Sequence, residues 1–230
     1  MNTPHSLGIA SDRGQQHLSN EDAGSVGYGL GQAAFMAVAD GVSSSDLAQQ
    51  ASATAVVSLR MSLLSAANPD LAAAAQRAHT AVLGLARPGQ AAETTLVAAM
   101  EDSAGWQIVW VGDSRAYRID LQQASAELLT QDDALDEDGY SHCITQCLGM
   151  AEDTPEVHQT RTRLVAGQGL LLCSDGLWNY FPTPDALVAA VLQCSSGGYE
   201  AGAICQQLVA MANALGGHDN ITVALYLQQG

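Results

Sequence analysis

Three apolar runs in this sequence end in an acid flanked by small residues: Val38-Ala39-Asp40-Gly41, Val111-Gly112-Asp113-Ser114 and Cys173-Ser174-Asp175-Gly176. A fourth acid, in Asp219-Asn220, stands immediately before the last apolar run. Each alone reads as a turn, because Asp-Gly is a favoured turn dipeptide. Four together read differently. Carboxylates at the ends of neighbouring strands can converge in one cleft, where they repel one another unless protons or cations neutralise them. A metal site resolves that conflict. The candidate ligands are all oxygens, with no histidine or cysteine at zinc-like spacing, which favours Mg²⁺ or Mn²⁺ over Zn²⁺. The glycine after Asp40 also lets the Gly41 carbonyl approach an ion. Two such ions bridged by a carboxylate acidify and orient a water and offset the charge developing on a phosphoryl group. The chemistry expected is hydrolysis of phosphate esters without a protein nucleophile.

These acids need strands to carry them. Ala33–Ala39, Thr95–Met100, Gln107–Val111, Gly169–Cys173 and Thr222–Leu227 are short apolar runs bounded by Gly, Asp or Asn, the pattern of strands. Several are apolar at successive positions, as in Ile108-Val109-Trp110-Val111, so both faces of their sheets must be covered. Helical stretches supply the cover: Asp46–Ser65; Pro69–Ala86, with Asn68 as N-cap; Pro184–Gln193; and Tyr199–Leu215, stopped by Gly216-Gly217. Helices thus come in pairs between groups of strands. The expected fold class is α+β, two sheets packed together with helices outside.

At 230 residues the sequence is read as one domain, residues 1–230. Nearly half of it is apolar and only 14% is charged, enough hydrophobic material for a core. Eight Lys plus Arg against 24 Asp plus Glu, a formal charge of −16, repel nucleic acid and anionic lipid. Neither a basic, apolar leader in Met1 to Ala10 nor a membrane-length apolar run is visible, so a cytoplasmic location and no membrane partner are expected. Five cysteines, Cys143, Cys147, Cys173, Cys194 and Cys205, form no Cys-x-x-Cys pair and read as reduced structural thiols. Gly27-Tyr28-Gly29-Leu30-Gly31 is read as a loop, and His79 as an ordinary helix-face residue.

Further strings stand in a telling order: Ser11-Asp12-Arg13-Gly14, Asn20-Glu21-Asp22, Ala39-Asp40-Gly41, Thr94-Thr95, Gly112-Asp113-Ser114-Arg115, Ser174-Asp175-Gly176 and Asp219-Asn220-Ile221-Thr222. From about Ser6 to Leu227 the sequence resembles the bacterial branch of the PPM metal-dependent serine/threonine protein phosphatases (type 2C). That resemblance implies a four-layer α-β-β-α sandwich, two antiparallel sheets flanked by helix pairs. It implies that Asp40 bridges two Mn²⁺ or Mg²⁺ ions, that the Gly41 carbonyl binds one, and that Asp175 and Asp219 bind the other. Asp113 would join Asp175 at a looser third ion. Glu21 and Asp22 would hold metal-bound waters or local structure. Asn220 would orient its loop, Thr94-Thr95 would support the sheet beneath, and Arg115 would pair with a buried acid such as Asp113 or Glu21, or touch substrate. The implied partners are a phosphorylated protein substrate and a cognate serine/threonine kinase pathway, with the chain acting as a monomer.

The sequence departs from the family's pattern in two places. Five positions before Asp22, where the family carries a phosphate-gripping arginine, stands His17. Arginine is a permanent two-point clamp, whereas histidine has an ordinary pKa of about 6.5 and offers one nitrogen at a time. Three readings follow: His17 contacts phosphate or donates a proton to the leaving oxygen, another arginine substitutes, or activity is weak and docking positions the substrate. The first is preferred; a plainly solvent-facing histidine is the alternative. The second departure is a short flap around residues 131–148, whose Asp132-Asp133, Asp136, Glu137 and Asp138 read as a solvated acidic loop. Both departures motivate a rival reading, a weak or silent phosphatase-like domain that binds a phosphoprotein or regulator. The retained Asp40, Asp175 and Asp219 count against it.

Overall fold

The structure, a computed structural model, describes residues 5–66, 68–135, 143–150, 154–195 and 200–229. Along the chain run β1 (His5–Asp12), β2 (Asp22–Tyr28), β3 (Ala34–Asp40), α1 (Ala48–Leu64), α2 (Leu71–Leu83), β4 (Leu96–Asp102), β5 (Gly105–Val111) and β6 (Arg115–Asp120). They are followed by β7 (Ser125–Leu128), β8 (His158–Thr162), β9 (Gln168–Cys173), the short α3 (Asp175–Trp178), α4 (Pro184–Ser195), α5 (Ala201–Ala214) and β10 (Ile221–Gln228). Two five-stranded antiparallel sheets result, ordered β1-β10-β9-β6-β7 and β2-β3-β4-β5-β8.

Successive strand residues point to opposite faces, and the uniformly apolar runs use both. In β3, Met36 and Val38 face the other sheet; with Trp106 and Ile108 of their own sheet they share one cluster with Leu172 and Tyr226 of the facing sheet. Phe35, Ala37 and Ala39 face the other way, against Ala51, Ala55 and Leu59 of α1 and Ala74 and Ala78 of α2. On the far side, Leu171, Val223 and Leu225 pack against Leu187 and Val191 of α4 and Ile204 and Leu208 of α5. The layers are therefore α-β-β-α, as expected. Small alanines on the inner faces of α1 and α2 let those helices lie close to the sheet.

Differences from expectation are local. β1, β2, β6, β7 and β8 carry no uniform apolar run, and Gly27-Tyr28 belongs to β2 rather than to a loop. The second helix is capped by Asp70, which accepts from Ala73 N at 3.0 Å, not by Asn68. Asp70 has the extended backbone of a cap (φ −82°, ψ 112°) and Pro69 sits outside the helix. The last helix likewise starts at Ala201, with Glu200 accepting from Ala203 N; Tyr199 lies outside the described residues. All five cysteines are free, and all but Cys143 are buried. His79 is buried, its Nδ1 accepting from Gly149 N at 3.1 Å. No helix of the described residues is long and apolar enough to cross a membrane.

Candidate active site

β3, β5 and β9 run toward the same end of the sandwich, and their last residues lead into Asp40, Asp113 and Asp175. Asp40 is held by its backbone: its N–H donates to Thr95 Oγ1 (3.0 Å), and its carbonyl accepts from Thr94 Oγ1 (2.8 Å) and Thr95 N (2.8 Å). Thr95 Oγ1 in turn shares a 2.8 Å hydrogen bond with Ser114 Oγ, joining this strand end to the turn that carries Asp113. Gly41 N donates to Glu21 O at 3.1 Å. A Cβ on Gly41 would lie 2.5 Å from Ala48 O and 2.8 Å from Glu21 O, so only glycine fits this crossing.

Asp22 faces Asp40 across the β2–β3 ladder and is 8% exposed. Ser174 Oγ donates to Asp22 Oδ2 at 2.7 Å and accepts from Thr222 N at 3.0 Å, so one hydroxyl ties β2, β9 and β10 together. Asp22 Oδ1 is buried with no hydrogen-bond partner. Asp175 opens α3, and Asn179 Nδ2 donates to its Oδ2 at 3.3 Å. Asn220 is buried; it accepts from Glu21 N at 2.6 Å and donates to Arg13 O (2.8 Å) and Ser19 O (3.1 Å), while its own N–H meets Asp219 Oδ1 at 2.8 Å. Glu21 thus serves this network through its backbone.

The electrostatics follow from that crowding. Burial, and then the charges of Asp22, Asp175, Asp113 and Asp219, push the Asp40 carboxyl well above the usual carboxylate range. Burial raises Asp22 to about 7, against the pull of its Ser174 hydrogen bond. Asp113 is also raised to about 7, by burial and then by Asp175 and Asp132. Five acids therefore share one mouth of the sandwich. Among the described residues no three His, Cys, Asp or Glu side chains stand together as a ready-made cage. The all-oxygen donor set, the unsatisfied Asp22 Oδ1 and the mutual repulsion fit hard cations that keep part of their water shell.

His17 sits beside Asp219, its Nε2 3.4 Å from Asp219 Oδ1, with both side chains roughly one third exposed (31% and 39%). Arg13 reaches the same loop, Nη1 donating to His17 O at 2.8 Å. Arg115 pairs with neither Asp113 nor Glu21. It grips Asp132 at two points, Nη2–Oδ2 2.7 Å and Nε–Oδ1 3.0 Å, and its guanidinium lies 3.6 Å over the ring of Trp178. The reason is β6: Leu129 N and Ala116 O, then Ala116 N and Thr130 Oγ1, draw the 129–132 segment alongside Arg115. Trp178 Nε1 donates to Asp113 O at 3.0 Å, so the stack also fixes the Asp113 turn.

Asp132 and Asp133 are consequently not a solvated acidic loop. Asp133, with a side chain 9% exposed, accepts from His158 Nε2 (2.9 Å) and Gly112 N (2.9 Å). Asp136, Glu137 and Asp138 lie outside the described residues. Ser174, Asp132 and Trp178 were not anticipated as site residues. Only Ser174 carried a signal, a small hydroxyl residue before Asp-Gly at the foot of an apolar run.

Residues 11–211 match the family described as Protein phosphatase 2C. The chain belongs to the protein phosphatase 2C family. Among curated relatives of this phosphatase 2C chain is the serine/threonine phosphatase stp of Listeria innocua, 34% identical over 147 residues, covering 57% of this chain and 55% of the relative. The chain thus spans about half the length of the curated relatives it matches. Among solved structures, the S. agalactiae serine/threonine phosphatase shares the fold (TM-score 0.84, 24% identity, 98% of this chain and 100% of that one). The PPM Ser-Thr phosphatase MsPP of Mycobacterium smegmatis, in complex with cacodylate, has TM-score 0.80 and 27% identity, covering 98% of each chain. The catalytic domain of PstP, in complex with two manganese ions, has TM-score 0.76 and 27% identity, covering 98% of this chain and 99% of that one.

Proposed function

We propose that this chain hydrolyses phosphoserine and phosphothreonine on proteins, in opposition to a bacterial-type serine/threonine kinase, as a cytoplasmic monomer. The observation that carries the reading is the set of acids acting on Asp40 at the strand ends, within a chain whose residues 11–211 match the phosphatase family. Asp40, the Gly41 carbonyl, Asp175 and Asp219 would hold two Mn²⁺ or Mg²⁺ ions, with Asp113 contributing to a third. When bound, such ions supply Lewis-acid polarisation of the phosphoryl group and lower the pKa of a water.

The chain's own residues position and neutralise. A water oxygen forms a bond to phosphorus as the bond to the seryl or threonyl oxygen breaks, and one proton ends on the leaving hydroxyl. His17 is the group assigned to phosphate contact or to that proton, because its Nε2 lies 3.4 Å from Asp219 Oδ1, at the edge of the acid cluster. Arg13, beside it, adds permanent positive charge to an otherwise acidic mouth. Asn220 keeps the loop bearing both residues against Asp219. Asp22 and Glu21 support the strand ends.

The test is hydrolysis of a phosphothreonine peptide and of p-nitrophenyl phosphate with and without Mn²⁺, for the wild type, Asp40→Asn and Asp175→Asn. Activity that requires Mn²⁺ and falls at least about 100-fold in both folded variants supports the reading, on the scale of losing a key electrostatic group. Inactive wild-type protein that still binds Mn²⁺ overturns it in favour of a phosphoprotein-binding domain.

A further inference from the structure

The segment between β1 and β2 is tied down along its length. Gly14 N donates to Asp12 Oδ1 (2.9 Å), Gln15 N to Gly217 O (2.7 Å) and Asn20 Nδ2 to Ser11 Oγ (2.9 Å), while Asn220 holds the carbonyls of Arg13 and Ser19. From this pinned loop Leu18 projects 97% exposed, more than any other large apolar side chain among the described residues. Single exposed leucines are common and by themselves carry nothing. This one follows His17, whose ring contacts Asp219. A second surface borders the same aspartate: Tyr180 and His218 stack with ring centroids 6.1 Å apart and planes 23° from parallel. His218 N donates to Tyr180 Oη (2.9 Å), and Gln16 Nε2 donates to His218 Nδ1 (2.8 Å), locking the pair to the Leu18 loop.

We propose that Leu18 with the Tyr180–His218 pair forms the docking platform for the polypeptide flanking the phosphoresidue, and that it selects an apolar side chain there. The assignment rests on the phosphatase reading and deepens it. Leu18 directly follows His17 in the chain, and residues of an extended peptide advance about 3.3 Å each, so with the phosphoryl group at Asp219 and His17 the side chains one or two positions away are the ones that would reach Leu18. Beside Asp219 the platform presents the exposed Leu18 side chain and the stacked Tyr180 and His218 rings, apolar area that an apolar neighbour would cover. Its hydrogen bonds hold it in place before substrate arrives, so little ordering entropy is lost on docking.

The experiment compares two phosphothreonine peptides, one with leucine and one with glycine on either side of the phosphoresidue, with p-nitrophenyl phosphate as reference. The enzymes are wild type, Leu18→Ser, Leu18→Met and Val165→Ser, the last an exposed apolar residue (62%) in the turn before β9. The wild type is expected to prefer the leucine peptide. In Leu18→Ser the KM for that peptide rises about fivefold with kcat held, and the preference shrinks; Leu18→Met restores it and Val165→Ser leaves it intact. A wild type indifferent to the flanking residue, or a loss in Leu18→Ser that is equal for both peptides and p-nitrophenyl phosphate, overturns the platform while the phosphatase reading stands. A wild type that hydrolyses neither peptide nor p-nitrophenyl phosphate overturns the phosphatase reading, and the platform with it.

Discussion

Asp22 and Asp40 stand directly opposite each other in the β2–β3 ladder, which places two carboxyls on the same face of neighbouring strands. Asp22 is buried and Asp40 half-buried, and the charge of Asp22 raises the affinity of Asp40 for a proton.

The first prediction concerns pH in metal-stripped protein. The folded-state pKa values of Asp22 and Asp113, each about 7, and that of Asp40 lie above those of an unfolded chain. Stability from these protons is fully present below about pH 4 and is lost as pH rises through about 7. Metal-free protein should therefore melt lower at pH 8 than at pH 5, by roughly 5–10 °C. Added Mn²⁺ should restore the alkaline Tm by binding only the folded site, and Asp22→Asn should flatten the pH dependence. Parallel melting curves at both pH values, in wild type and Asp22→Asn alike, would count against the shared acid cluster.

A second prediction tests the clamp on Asp113. Arg115→Lys keeps the charge but loses the two-point grip on Asp132 and the flat stack on Trp178. Lysine cannot replace either. Urea unfolding should show a loss of about 1–3 kcal/mol, and Mn²⁺ titration should show weakening of the loosest site, since Trp178 also holds the Asp113 carbonyl. Unchanged stability would show that Asp132 finds an equal partner in lysine.

Helix capping offers a local check. Asp70→Ala removes the side-chain bond to Ala73 N and should cost about 1 kcal/mol. Asn68→Ala, which removes no cap, should cost less than about 0.5 kcal/mol. Chemical denaturation of the two variants side by side decides which residue starts α2.

The loop histidine gives a kinetic test. His17→Arg introduces a permanent, two-point phosphate donor and should lower KM for p-nitrophenyl phosphate by roughly tenfold, worth about 1.4 kcal/mol. His17→Ala should raise it. If both substitutions leave KM unmoved, His17 does not face the phosphate and Arg13 becomes the residue to vary.

The sequence by itself determined the layer order and the places of Asp40, Asp113 and Asp175. The strands that carry them are buried on both faces, so their apolar runs are continuous and their acidic ends stand out. β2 and β6 lacked that signal. β2 contains two glycines and is mostly half-exposed, and β6 mixes Arg115, Arg118 and Asp120 with its buried residues. What only the tertiary structure decided is which charges meet. Asp132 is one acid in an acidic stretch, and nothing in its neighbours names Arg115, 17 residues away, as its partner. Ser174 reaches Asp22 across 152 positions, and His17 finds Asp219 through a loop pinned by Asn220. Burial patterns repeat along a strand and are legible in one dimension; polar partners are chosen by direction and distance in three, and short-range spacing does not encode them.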